Sequence, residues 1–225
     1  MTAESLSTRV KRELTRQILA GELRPGSVVS VRSVSADLGV GLTPTRDALL
    51  ALRQEGLIEV RPNVGSVVRL LTADEIKARY ELRLAIESIA LRWAVKHITP
   101  TVHRRLLELC DEQERMARRG DHQSRFEADM KYHRLLVATA ANQEISRAAR
   151  HLRILESTYP MGVGHSLEQL LANIEEHRRI ADLLLEGRIA DAEAILKTHL
   201  SRPVPEAQAR CEDLLLLAKM EEGGY

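Results

Sequence analysis

Glycine and proline divide this chain unevenly: nine of them fall between Gly21 and Gly65, and none between Gly65 and Pro100. A backbone punctuated that often is held to short elements joined by turns, whereas a stretch free of both can run as long helices. The change predicts two domains, at 1–72 and 73–225, the usual number for 225 residues. Six aromatic residues in all leave the core to Leu, Ala, Val and Ile, which is the composition of packed helices rather than of stacked sheets. The expected fold class is mostly α.

In the first half Leu6, Val10, Leu14 and Ile18 recur at helical spacing, with Gly21 placed to close that helix. The Arg24-Pro25-Gly26 turn leads to a short β-branched run and then to a helix from about Val31 to Leu38, stopped by Gly39. Thr43 is placed to cap a third helix, with Pro44 in its first turn and Asp47 near its positive end, running through Leu49, Leu52 and Gln54. Leu57 to Arg61 and Ser66 to Arg69 flank Pro62-Asn63-Val64-Gly65, which predicts a hairpin. This order of helices and wing is a winged helix-turn-helix, whose third helix enters the DNA major groove by its N-terminal end. The candidate contacts to double-stranded DNA are Thr43, Thr45 and Arg46 on that helix, Arg32 early in the second, and Asn63 and Gly65 on the wing. Arg46 can fork onto a guanine edge, and a threonine can reach a phosphate or a thymine methyl.

The net charge is only +1, but residues 1–72 hold 10 Lys and Arg against 7 Asp and Glu, and the remainder 23 against 25. The positive excess thus lies on the half that carries the DNA-reading pattern. Met1 to Val10 lacks the apolar run of a signal peptide, and the longest aliphatic stretch, Leu214 to Ala218, is far short of a membrane span. Cys110 and Cys211 have no CxxC partner, the pattern of buried free thiols. A cytoplasmic protein with no membrane partner is expected.

The second half reads as an all-α antiparallel bundle, with helices expected near 74–97, 101–119, 122–140, 143–158, 167–186, 189–200 and 205–221. Breaks fall at Thr99-Pro100, Gly120, Asn142, Pro160 to Gly164, Gly187 and Pro203. Asp129 and His133, four residues apart, share one helix face. His177 precedes Gly187 by ten residues and His199 follows it by twelve, so a helical hairpin at Gly187 brings the two to nearly one height. Asp129, His133, His177 and His199 form a mixed nitrogen and oxygen set for a divalent metal, zinc first, with nickel, manganese or iron as alternatives. A single His is more often a surface or hydrogen-bonded residue than a ligand, and His97, His103, His122, His151 and His165, which have no comparable partner, are read that way. A metal-dependent enzyme built on the Asp/His set is the rival use. No HExxH, paired ExxH, GxSxG, P-loop or GxGxxG string is present, so no catalytic residue is assigned. A metal-free structural module is the third reading.

Ile18 to Gly26, Leu38-Gly39-Val40 with Thr43 to Leu49, and Glu55-Gly56-Leu57-Ile58 with Asn63-Val64-Gly65 resemble the GntR family of bacterial transcription regulators. The remainder resembles its FadR-type, or FCD, ligand-binding domain, and the likeness covers nearly the whole chain. It implies a homodimeric regulator, a repressor relieved by its effector, that binds a palindromic operator and senses a small carboxylate metabolite through one divalent metal per chain. It puts the metal ligands on Asp129, His133, His177 and His199 and the effector-binding residues on Arg83 and Asn142. Leu42 stands where the family commonly has Arg, and Val31 where Glu is common, which implies a different operator. The 205–221 segment leaves six- and seven-helix branches of the domain open.

Overall fold

A computed structural model of the chain describes residues 4–19, 22–156 and 165–222. The expected breaks at Gly21 and from Pro160 to Gly164 lie outside these. Helix α1 is Leu6–Leu19, α2 Val31–Leu38 and α3 Leu42–Gln54, followed by strands β1, Ile58–Arg61, and β2, Gly65–Val68. Seven further helices follow: α4 Ala73–Ala94, α5 Pro100–Arg118, α6 His122–Thr139, α7 Gln143–Glu156, α8 Leu167–Leu185, α9 Ile189–Ser201 and α10 Val204–Glu222. The expected elements form, including the last helix.

Local chemistry sets most of the boundaries. Ser30 caps α2 by accepting from the Ser33 amide, and Gly39 ends it in the left-handed region at φ 62°. One expected start is displaced: α3 begins at Leu42 with Gly41 as its cap, not at a Thr43 cap. Gly41 has the extended backbone of a cap, and Pro44 sits inside the first turn, where its missing N–H removes no helical bond. Thr99 with Pro100 opens α5, Asp121 opens α6, and Ser166 and Gln169 form a reciprocal capping box on α8.

Backbone packing divides the chain into two compact units. One contains α1 to β2. Val10, Leu14 and Ile18 of α1 pack with Val34, Leu49, Leu52, Leu57, Ile58 and Val68. Leu6, which shares their period, is exposed at the helix start. The strands pair antiparallel, Ile58 with Val68 through Arg61 with Gly65, so the turn is the three residues Pro62 to Val64 and Gly65 already belongs to β2. Val28 of the β-branched run adds a single bridge to Val67. The segment from Gln208 onward also groups with this unit, a departure from the expected division at 72/73. Its tie is local: Gln208 Nε2 donates to the Ala73 carbonyl at 3.1 Å, and the buried Cys211 thiol to the Leu71 carbonyl.

The second unit runs from Asp74 to Leu152 and ends at Ala207. Here α5 packs on α6 and α8, and α8 on α9. Leu91, Leu106, Leu109, Tyr132, Leu136, Leu170, Ile174, Ile180, Leu184, Leu196 and Leu200 form its core. The α8–α9 hairpin turns at Gly187, whose φ of 77° lies in the left-handed region. A Cβ there would meet nothing within 4 Å, so the glycine serves the backbone conformation and not a close approach. Gly187→Ala is therefore expected to destabilise the protein by about 1–2 kcal/mol through φ alone. Urea denaturation checks this, and an unchanged midpoint would show that the turn relaxes.

Candidate metal centre and DNA-reading face

Helix α3 buries Thr45, Ala48, Leu49 and Leu52, spaced at i, i+3, i+4 and i+7. That face is apolar apart from Thr45, which is 0% exposed, so its hydroxyl turns back and donates to the Gly41 carbonyl at 2.9 Å. Thr45 is corrected from a DNA contact to a packing residue. The opposite face presents Thr43, Arg46 and Asp47, with Leu42 exposed at the helix start. Arg32 on α2 is exposed, as are Asn63 and Gly65 at the wing tip, where both have positive φ.

In the helical unit, three of the expected ligands converge. His133 on α6, His177 on α8 and His199 on α9 each bring one ring nitrogen within 4.8 Å of the others. Nε2 of His177 and Nε2 of His199 are 3.0 Å apart, which fulfils the hairpin expectation drawn from Gly187. Asp129, one turn before His133, lies at the edge of this group with Oδ1 3.8 Å from Nε2 of His177.

Each ring is held from its other side. Nδ1 of His133 meets Oε2 of Glu87 at 2.8 Å, Nδ1 of His177 meets Oε1 of Gln113 at 3.2 Å, and Nδ1 of His199 meets Oε2 of Glu176 at 3.0 Å. All three partners are acceptors, which favours the proton on each Nδ1 and, where the ring is neutral, leaves the lone pair on Nε2. With both rings neutral and protonated on Nδ1, the two Nε2 atoms 3.0 Å apart would face each other as lone pairs, an arrangement that a cation between them relieves. Nε2 of His133 is buried with no hydrogen-bond partner. One orphaned nitrogen, two convergent ones and a carboxylate beside them fit a divalent ion of the zinc, nickel, manganese or iron type.

Electrostatics agrees with neutral ligands. Burial pushes His133 below its ordinary range against the pull of Glu87, and burial, then His199 and His133, push His177 well below it. Burial works to raise Glu176, but its bonds to His199 and Arg202 outweigh that and hold its carboxyl below the usual range. Burial raises the Cys110 thiol to about 12, and Cys110 is not part of the convergent group of His133, His177 and His199. Tyr132 stacks on His177 with ring centres 4.3 Å apart and donates to the His177 carbonyl at 2.7 Å, which fixes that ring's plane.

Arg83 is buried, and its Nε donates to Oε1 of Glu87 at 2.8 Å, which joins it to His133 through one carboxylate. Asn142 has a different position: its Oδ1 accepts from the Glu144 and Ile145 amides at the start of α7, and it lines a cleft with Ser146, Arg147 and Arg150. Two of the histidines set aside are paired structurally, His103 with Asp182 at 2.8 Å and His165 with Glu206 at 2.6 Å. His97 and His122 are exposed, and the His151 side chain lies outside the described residues.

Glu87, Gln113, Glu176 and Tyr132 escaped the sequence reading. Two signals were available: Glu87 lies four residues after Arg83, and Gln113 interrupts an otherwise apolar stripe of Leu106, Leu109, Cys110 and Ala117. Glu176 was visible only as a neighbour of His177, while its carboxylate serves His199.

A winged helix-turn-helix and a helical unit with a three-histidine centre define a regulator of transcription. Residues 6–68 match the bacterial regulatory protein gntR family, and 78–202 match the FCD domain. The chain belongs to the GntR family of transcription regulators, with an FCD domain as its C-terminal part. This class is not enzymatic, which removes the rival use of the site. A relative in Paenarthrobacter nicotinovorans named "Probable D-xylose utilization operon transcriptional repressor" is 30% identical over 91% of this chain and 90% of its own. The gluconate operon transcriptional repressor of Bacillus subtilis is 23% identical over 98% and 90%. Among solved structures, E. coli McbR/YncC has the same fold, with a TM-score of 0.81 at 18% identity over 92% of this chain and 99% of that one. No described helix is long and apolar enough to cross a membrane.

The two faces of α3 separate in one measurement. With a duplex selected from random-sequence DNA, Arg46→Ala should weaken binding by about 1–3 kcal/mol per half-site, while Thr45→Val stays within about twofold of the parent. Anisotropy titrations at fixed salt give both values. A loss for Thr45→Val at unchanged melting temperature would return Thr45 to the DNA-reading set.

Proposed function

We propose that the protein is a homodimeric, cytoplasmic repressor that binds a palindromic operator and senses a small carboxylate metabolite through one divalent metal per chain, zinc first among the candidates. The observation that carries the sensing half is the convergence of His133, His177 and His199, each with an acceptor at its Nδ1. The names of the two repressor relatives support the repressor sign.

His133, His177 and His199 would hold the ion, with Asp129 completing the protein's share from the edge. A bound ion supplies a Lewis-acidic position that an effector oxygen can take. The chain's own residues do the rest. Arg83, anchored through Nε to Glu87, keeps its guanidinium in a set plane beside the centre, where it can pair with a carboxylate. His133, His177 and His199 lie on three different helices, so a ligand that draws on all three favours one arrangement of α6, α8 and α9 over others. Only differential affinity for the arrangements that bind and release DNA can drive the response. Asn142 is left out of the effector set, because its carbonyl caps α7.

On the DNA side, Thr43, Arg46, Arg32 and the wing residues Asn63 and Gly65 form the exposed set that meets the duplex. Phosphate contacts position this unit, and Arg46 is the side chain able to read a base edge.

Metal analysis tests the sensing half. Protein purified without chelator should carry about one divalent ion per chain. Zinc at about 100 times its Kd should stabilise the metal-free protein by about 2.7 kcal/mol, and His177→Ala should abolish that gain. A parent protein that stays empty after supply of zinc, nickel and manganese refutes the proposal.

A further inference from the structure

Glu87 is the side chain on which the geometry behind the histidines turns. It is 1% exposed, and its two carboxylate oxygens serve two different partners. Oε1 accepts from Nε of Arg83, on the same helix one turn earlier, and Oε2 from Nδ1 of His133 on α6, each at 2.8 Å. Arg83 is itself buried, so the carboxylate is clamped on one side by a guanidinium with little freedom to move. His133 stands edge-on to the rings of Tyr132 and His177, with centres 5.5 and 4.9 Å away, and these contacts limit its rotation. What they do not decide is which nitrogen carries the proton.

We infer that Glu87 is a positioning residue for the metal: through its bond to Nδ1 it fixes His133 in the tautomer whose Nε2 lone pair faces His177 and His199, and Arg83 holds Glu87 in register for that task. The inference rests on the metal reading proposed above. Without the acceptor, the Nδ1 proton has no buried partner there, and the ring can place its proton on Nε2, where it blocks the ligand position. Partners of this kind behind a ligand typically account for about 10–100-fold in metal affinity. Gln113 and Glu176 have the matching place behind the other two rings, but Glu87 alone among the three is held in turn by a buried arginine.

A bare Glu87→Gln change removes the buried carboxylate charge that Arg83 bonds and can unfold the protein for that reason alone. Paired variants avoid this. Arg83→Met with Glu87→Leu replaces the ion pair by apolar side chains of similar size and leaves Nδ1 of His133 without an acceptor. Arg83→Met with Glu87→Gln also removes the charges but keeps an oxygen that can face Nδ1. Cobalt(II) is the probe, with its visible absorption bands as a direct report of ligand number and geometry, and the metal-free melting temperature is recorded alongside.

The Leu variant should bind cobalt about 10–100-fold more weakly than the parent and with shifted bands, and the Gln variant should recover most of the affinity and the parental bands. Parental affinity and bands in the Leu variant would overturn the inference. Equal losses in the two variants would overturn it too, since the effect would then follow the ion pair and not the acceptor. A parent protein that gives no cobalt bands defeats the metal reading itself, an outcome distinct from either of these.

Discussion

An imidazole can offer a lone pair only from the nitrogen that does not carry the proton, and the helical unit of this protein depends on that constraint. Glu87, Gln113 and Glu176 each place an acceptor at Nδ1, which in a neutral ring favours an unprotonated Nε2 at His133, His177 and His199, whose rings converge. Burial works in the same direction, since it disfavours a charged ring at His133 and at His177. Convergence of lone pairs is repulsive in itself and is held by the packing of α5, α6, α8 and α9 around Tyr132 and the leucines of the core.

The DNA-reading face follows from an equally simple requirement. A short α3 must bury a continuous stripe to dock on α1 and β1, and the stripe reaches back to its first turn at Thr45. Of the expected contacts on α3, Thr43 and Arg46 lie on the exposed side, with Asp47 beside them. Cys211 and Gln208, near the chain end, bond to the Leu71 and Ala73 carbonyls, so the final helix contributes to the first compact unit although it lies beyond the FCD match at 202.

The sequence determined the order and kind of nearly every element, because helical periodicity, caps and glycine stops act over a few residues. The Ser30 cap, the Gly39 stop, the Thr99-Pro100 start and the Gly187 turn are all local, and the expected helix ends lie within a few residues of those observed. The spacing of His177 and His199 about Gly187 was legible for the same reason, since a tight hairpin converts distance along the chain into height along two helices. Only the tertiary structure decided which face of α3 is buried, and so removed Thr45 from the DNA set. It alone revealed that Glu87, Gln113 and Glu176 stand behind the histidines, at separations of 46, 64 and 23 residues. A side-chain hydrogen bond across helices leaves no period in a sequence: it depends on crossing angles and on the packing of the whole core, which no local pattern encodes.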